Sequence, residues 1–104
     1  MYKLNYYVPV DAKEKTKQAL FDIGVGRFEN YEYCSWETLG QGQFKPIGDA
    51  NPSIGELNRL EVLDEYKIEM ICSDELIHQA IQTLKETHPY EEVAYEVFKI
   101  EEYF

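Results

Sequence analysis

The stretch His88-Pro89-Tyr90-Glu91-Glu92 gathers an imidazole, a phenol and two carboxylates around one proline, just ahead of an apolar run. His88, Glu91 and Glu92 form a candidate divalent-metal set, with Cys34 as a further ligand. Imidazole, thiolate and carboxylate all suit zinc or related ions. Their spacing matches no established zinc pattern. The other reading is structural: Pro89 fixes a helix-to-strand corner, Tyr90 packs, and the carboxylates cap or pair. Cys34 would act as a nucleophile only with a base such as His88 beside it. Otherwise it is a semi-buried strand cysteine, the usual place of a free thiol. No Ser/His/Asp arrangement is evident, and no residue is assigned a catalytic role.

A second chemical feature is Gly40-Gln41-Gly42-Gln43-Phe44-Lys45-Pro46, followed by Gly48, Pro52 and Gly55. So many glycines and prolines read as a long loop over 40–55. Loops of this length are functional or ordered by contacts. Its backbone N–H groups could cradle an anion, although the P-loop spacing is missing. Cys34, Gly40, Gly42, Phe44, Pro46 and Tyr90 are therefore the expected ligand-binding positions, in a cleft bounded by this loop and the 88–92 corner. The alternative is a turn-rich loop that packs against a neighbouring subunit.

The elements that must position these residues follow from periodicity. Tyr2, Leu4, Tyr6 and Val8 alternate, so 2–9 reads as a strand. Asp11 and Glu14 have the spacing of a capping box. Ala12, Thr16, Ala19, Leu20 and Ile23 then form a helical stripe that Gly24 and Gly26 end. Phe21 lies opposite the stripe, as an exposed aromatic or a partner contact. Residues 31–39 are aromatic and β-prone and read as a second strand. Leu60 to Cys72 is a third, with a bulge at Asp64 and with Glu61, Glu65 and Glu69 as a solvated or Lys-paired row on one face. Ser73 caps a second helix, whose buried stripe is Leu76, Ile77, Ala80, Ile81 and Leu84. This helix stops near Pro89, and His78 lies off its stripe in solvent. Val93 to Ile100 is the last strand, and the tail Glu101-Glu102-Tyr103-Phe104 extends it or frays.

The order strand, helix, strand, strand, helix, strand implies one α+β domain over 1–104. Right-handed crossovers place both helices on one face of a four-stranded antiparallel sheet, the ferredoxin-like βαββαβ arrangement. The other face, with its aromatics including several tyrosines, stays uncovered unless another subunit or domain packs there, which argues for an oligomer.

Charge and composition exclude some partners. The 104 residues hold 20 acids against 10 bases, for a formal charge of −10. Such a surface repels phosphate backbones, so direct nucleic-acid binding is not expected. No apolar run is long enough to span a bilayer, and the N-terminus alternates like a strand without a signal-peptide core. The expected compartment is the cytoplasm, with Cys34 and Cys72 reduced.

Several segments together resemble a known family. They are Gly24-Val25-Gly26-Arg27, Tyr31-Glu32-Tyr33-Cys34-Ser35, Gly40-x-Gly42-x-Phe44-x-Pro46, Asn51-Pro52-x-Ile54-Gly55, Glu61-x-x-x-Glu65-x-x-x-Glu69 and His88-Pro89-Tyr90-Glu91-Glu92-Val93-Ala94-Tyr95. Over nearly the whole chain the pattern is similar to the insert domain of the NGG-interacting-factor (YqfO-like) proteins. The resemblance implies a PII/CutA-like, commonly trimeric domain. In full-length members this insert sits between two halves of a dinuclear-metal domain, sometimes described as GTP cyclohydrolase type. The metal ligands lie in those halves, so no dimetal site carries over, and this chain looks like a stand-alone copy of the insert.

The functional expectation is a non-enzymatic, oligomeric regulatory or interaction module, trimer or dimer. It binds a small ligand or divalent metal near the 40–55 loop and the 88–92 corner, or a protein partner. Two alternatives stand beside it. One is a small metal-dependent hydrolase-type enzyme assembled at a subunit interface from Cys34, His88 and Glu91 or Glu92. The other is a structural adaptor docking through the open sheet face or Phe21.

Overall fold

A computed structural model describes residues 1–101. Strand β1 (Tyr2–Pro9) runs through a single 3-10 turn, Val10–Ala12, into helix α1 (Lys13–Asp22). Strands β2 (Trp36–Phe44) and β3 (Glu61–Cys72) follow, then helix α2 (Ile77–Thr87) and strand β4 (Tyr95–Lys99). The strands form one antiparallel sheet in the order β2-β3-β1-β4, with both helices on one face. This is the expected ferredoxin-like arrangement.

The period-two alternation of β1 drives the core. Leu4, Tyr6 and Val8 are fully buried and stand opposite Met70, Ile68 and Tyr66 of β3. Leu20 of α1 and Ile77, Ala80 and Leu84 of α2 cover them. Tyr6 keeps its buried hydroxyl satisfied through Thr16 Oγ1 at 2.9 Å, and the Thr16 hydroxyl reaches back to the Lys13 carbonyl of its own helix. A polar tip inside a core must find such a partner. At the edge of this face, Glu37 of β2 accepts from Lys13 at 2.7 Å and Lys17 at 2.8 Å, which fastens α1 over β2. Those two ammonium groups hold the Glu37 carboxyl below the usual carboxylate range.

Several local expectations need correction. Neither helix has a side-chain cap. The first begins after the 3-10 turn with Ala12 at its N-cap, and the second after a turn over 73–76 with Leu76 there. Asp11, Glu14 and Ser73 therefore have no capping bond. Residues 31–35 are not a strand. Phe28 and Tyr31 instead close a tight turn by exchanging N–H···O bonds of 2.9 Å, with Glu29 and Tyr33 at positive φ. Phe21 is half-buried against the core and stacks on Tyr33 at 4.7 Å. The β2–β3 register is continuous across Asp64, which pairs with Gln41 without a bulge.

Gly40 and Gly42 lie inside β2, and the irregular segment is 45–60. An edge strand tolerates them because it is paired on one side only. The strand tyrosines also sort differently from expectation. Tyr2, Tyr6, Tyr66 and Tyr95 share the helix-covered face through their register, and only Tyr7 among them faces the open side. The open face instead carries Trp36 at 68% exposure and Phe98 at 54%, among Lys3, Lys67, Glu69 and Glu96. Of the expected tail, Glu102 to Phe104 lie outside the described residues.

Candidate functional site: a cleft over the open sheet face

Helix α2 ends where the sequence requires. His88 leaves the helix with extended backbone (φ −77°, ψ 139°), ahead of Pro89, which disfavours helical geometry in the residue before it. Its side chain turns inward and is only 6% exposed. The ring Nε2 lies 2.7 Å from the Tyr7 carbonyl, and the Tyr90 backbone N–H donates to Nδ1 at 3.1 Å. A carbonyl only accepts and an N–H only donates, so the imidazole carries its proton on Nε2. The β1–β4 pairing ends at Tyr6↔Tyr95, and one residue further the imidazole supplies the donor for the β1 carbonyl. His88 thus staples the end of α2 to the central strand.

Burial, outweighing the Tyr7 carbonyl and the Glu65 charge, holds the His88 pKa below its ordinary 6.5. A histidine depressed in the folded state binds protons more readily when unfolded. Its penalty is absent above pH 6.5 and grows as pH falls below that value. Chemical-denaturation curves should therefore show stability falling on acidification through this window, and His88→Gln should flatten that slope. An unchanged slope in the variant would assign the effect to other groups.

The corner opens on a cleft. Tyr90 donates its hydroxyl proton to Glu65 Oε2 at 2.7 Å, and its ring packs against His88 at 4.8 Å and Phe44 at 5.9 Å. Burial and the Glu65 carboxylate raise the Tyr90 pKa, so the phenol stays a donor. To reach Tyr90, the Glu65 side chain crosses Gly42; a Cβ there would lie 1.6 Å from Glu65 Oε1. The absent side chain at 42 is what lets the carboxylate pass. The 45–60 segment folds over the same end of the sheet. Ser53 Oγ donates to the Pro89 carbonyl at 2.7 Å, and the Asn51 N–H donates to Glu91 Oε2 at 3.1 Å. These ties border a solvent-open cleft of about 560 Å³, within the usual volume range for small-molecule sites. Its walls include Tyr7, Phe44, Pro46, Ile54, Glu65 and Tyr90.

No family model matches the chain. A Staphylococcus aureus protein named GTP cyclohydrolase 1 type 2 homolog is 40% identical over 101 residues, spanning 97% of this chain and 28% of its own length. A solved Bacillus cereus protein related to NIF3 superposes with a TM-score of 0.81 at 35% identity, over 97% of this chain and 26% of that one. The chain thus matches one segment of these NIF3-related proteins, and that segment has a PII/CutA-like fold. The PII-like protein CutA from Nostoc shares the fold, with a TM-score of 0.70 at 17% identity over 96% of this chain and 81% of its own. The chain thus spans little more than a quarter of the relative's length.

Within this domain the expected site residues separate into two groups. Gly42, Phe44, Pro46, Tyr90, Glu91 and Glu92 all line the cleft. Gly40 lies in β2 with open space around it and outside the cleft wall. Cys34 sits half-buried at the α1–β2 connection, where its N–H donates to Gly26, on a different part of the fold from His88. The metal set is not brought together. Both imidazole nitrogens of His88 are engaged with backbone, Glu91 is tied to Asn51, and among the described residues no three His, Cys, Asp or Glu converge on a metal position. These residues do not fit a metal ion, because ligation through His88 requires breaking the staple first. Glu65 is the residue missed from the sequence. Gly42 was its signal, since a glycine inside a strand marks a close approach.

Proposed function

We propose that this domain is a non-enzymatic interaction or regulatory module that binds a small ligand in the cleft between the 45–60 segment and the 88–92 corner. The observation that carries this reading is a preformed cavity of about 560 Å³ whose cover is tied down at Ser53 and Asn51. A non-enzymatic role fits the groups that face it. The one buried imidazole is committed to backbone, and the half-buried thiol of Cys34 is elsewhere. A fragment screen read by proton–nitrogen correlation spectra tests the reading. Binders should shift the amides of Gly42, Phe44, Ile54, Tyr90 and Ala94 together. A broad screen in which no fragment moves this set would refute it.

The module also self-associates through its open sheet face. Trp36 and Phe98 are more than half exposed there, beside charges of both signs that suit a face meeting its own copy. Light scattering should give a mass above that of one chain, falling to one chain in Trp36→Glu/Phe98→Glu. A wild-type monomer at working concentration would contradict this. Two unpaired cysteines suit a reducing, cytoplasmic setting. Burial pushes the Cys72 thiol up to about 11, which keeps it inert there.

A further inference from the structure

The cleft's lining also states what kind of ligand it would hold, an inference that rests on the cleft being a binding site at all. Its walls carry three carboxylates, Glu65, Glu91 and Glu92, against one cation, Lys45. Three aromatic residues, Tyr7, Phe44 and Tyr90, share those walls with Pro46, Pro52 and Ile54. The carboxylates do not converge as a metal site requires. Glu65 reaches the cleft from β3 across Gly42, whereas Glu91 and Glu92 come from the 88–92 corner, where Glu91 accepts from the Asn51 N–H.

We infer that the cleft takes an organic cation with an apolar body, an aliphatic diamine being the simplest member of the class. One metal ion cannot satisfy dispersed carboxylates, whereas ammonium groups at the two ends of a short chain can address separate ones. The methylene body buries against Phe44, Pro46 and Ile54, where each methylene removed from water contributes roughly 0.8 kcal/mol. The aromatic side chains add attraction for a cation held against a ring face. An anionic ligand meets the opposite field. The carboxylates of Glu65, Asp11 and Glu61 already act together to oppose loss of the Tyr90 proton, and the chain as a whole carries −10. Glu91 and Glu92 are the specificity-determining residues, because both border the cleft from the exposed corner rather than from the sheet.

The test uses the whole chain and three probes of matched length: putrescine, the neutral butanediol and the dianion succinate. Binding is followed by calorimetry and by amide shifts at moderate salt. Putrescine is expected to bind and to shift Gly42, Phe44 and Tyr90, while the diol and the dianion do not. Glu91→Gln/Glu92→Gln should weaken putrescine by at least about tenfold. Asp22→Asn/Glu86→Gln, which removes the same charge from the two helices, should leave it unchanged. Equal weakening in both double variants would overturn the inference in favour of diffuse attraction to an acidic surface. Cleft shifts with succinate or the diol but not putrescine would overturn the cation while keeping the cleft as a site. Cleft amides that respond to none of the three, nor to any screened fragment, would overturn both.

Discussion

His88→Ala is expected to lose about 3 kcal/mol of stability, because removing the buried ring leaves a cavity and orphans the half-buried Tyr7 carbonyl and Tyr90 amide. For a domain of this size that lowers the melting temperature by on the order of 10–20 °C. His88→Gln should cost less. Its amide still offers a donor to the Tyr7 carbonyl, but it supplies no acceptor where Nδ1 receives the Tyr90 N–H. Zinc should not raise the melting temperature of the wild type, since binding to the native state alone would do so. A near-neutral His88→Ala, or a wild type stabilised by stoichiometric zinc, would return His88 to the role of ligand. The consequence reaches the cleft as well. His88 positions Tyr90, Tyr90 holds Glu65, and Glu65 forms part of the wall. Loss of the imidazole should therefore weaken any cleft ligand even though His88 does not touch it.

Gly26→Ala should be comparably severe for a backbone reason. Gly26 sits at φ +79°, donates to the Ile71 carbonyl at 2.9 Å and accepts from the Cys34 N–H at 2.8 Å. It anchors the turn between α1 and β2 to the sheet. A Cβ there would meet the Cys34 carbonyl oxygen at 2.7 Å and the Phe21 ring at 3.1 Å. Left-handed backbone costs a non-glycine residue about 1–2 kcal/mol, and displacing a backbone carbonyl brings the total to about 3 kcal/mol. Gly48→Ala separates the two contributions, because position 48 has φ +59° but nothing within 4 Å of its Cβ. Denaturation curves should show Gly48→Ala losing only the conformational part. Equal losses at 26 and 48 would remove the steric argument.

These two positions also mark how far the sequence could be read. The fold order was legible because alternation in β1, β3 and β4 and the stripe of α2 are local patterns. The boundaries of β2 were not. Aromatic residues at 31–35 have high strand propensity, yet Gly26 and the Phe28–Tyr31 turn hold that segment irregular, while Gly40 and Gly42 sit in an edge strand. Helix starts were misplaced for a related reason. Asp11 and Ser73 have capping chemistry, but the N-caps fall one residue later at Ala12 and three residues later at Leu76. The loop and the corner were recognisable as the two sides of a cleft by their composition. The Glu65–Tyr90 bond was not, because it depends on strand register across distant parts of the chain. Parity also decided the tyrosines: a one-residue difference sends Tyr6 to the core and Tyr7 to the cleft. In the chemical-looking cluster at 88–92, His88 and Tyr90 are hydrogen-bonded into the fold, and Tyr90, Glu91 and Glu92 line the cleft.

The most direct measurement is a long-range proton–nitrogen spectrum of the His88 imidazole, recorded with and without zinc. A protonated Nε2 and a bare, hydrogen-bonded Nδ1 are expected in the neutral ring, which predominates above pH 6.5, and neither is moved by the metal. A zinc-dependent shift of either ring nitrogen, or the opposite tautomer, would contradict the view that this corner builds the cleft rather than ligating within it.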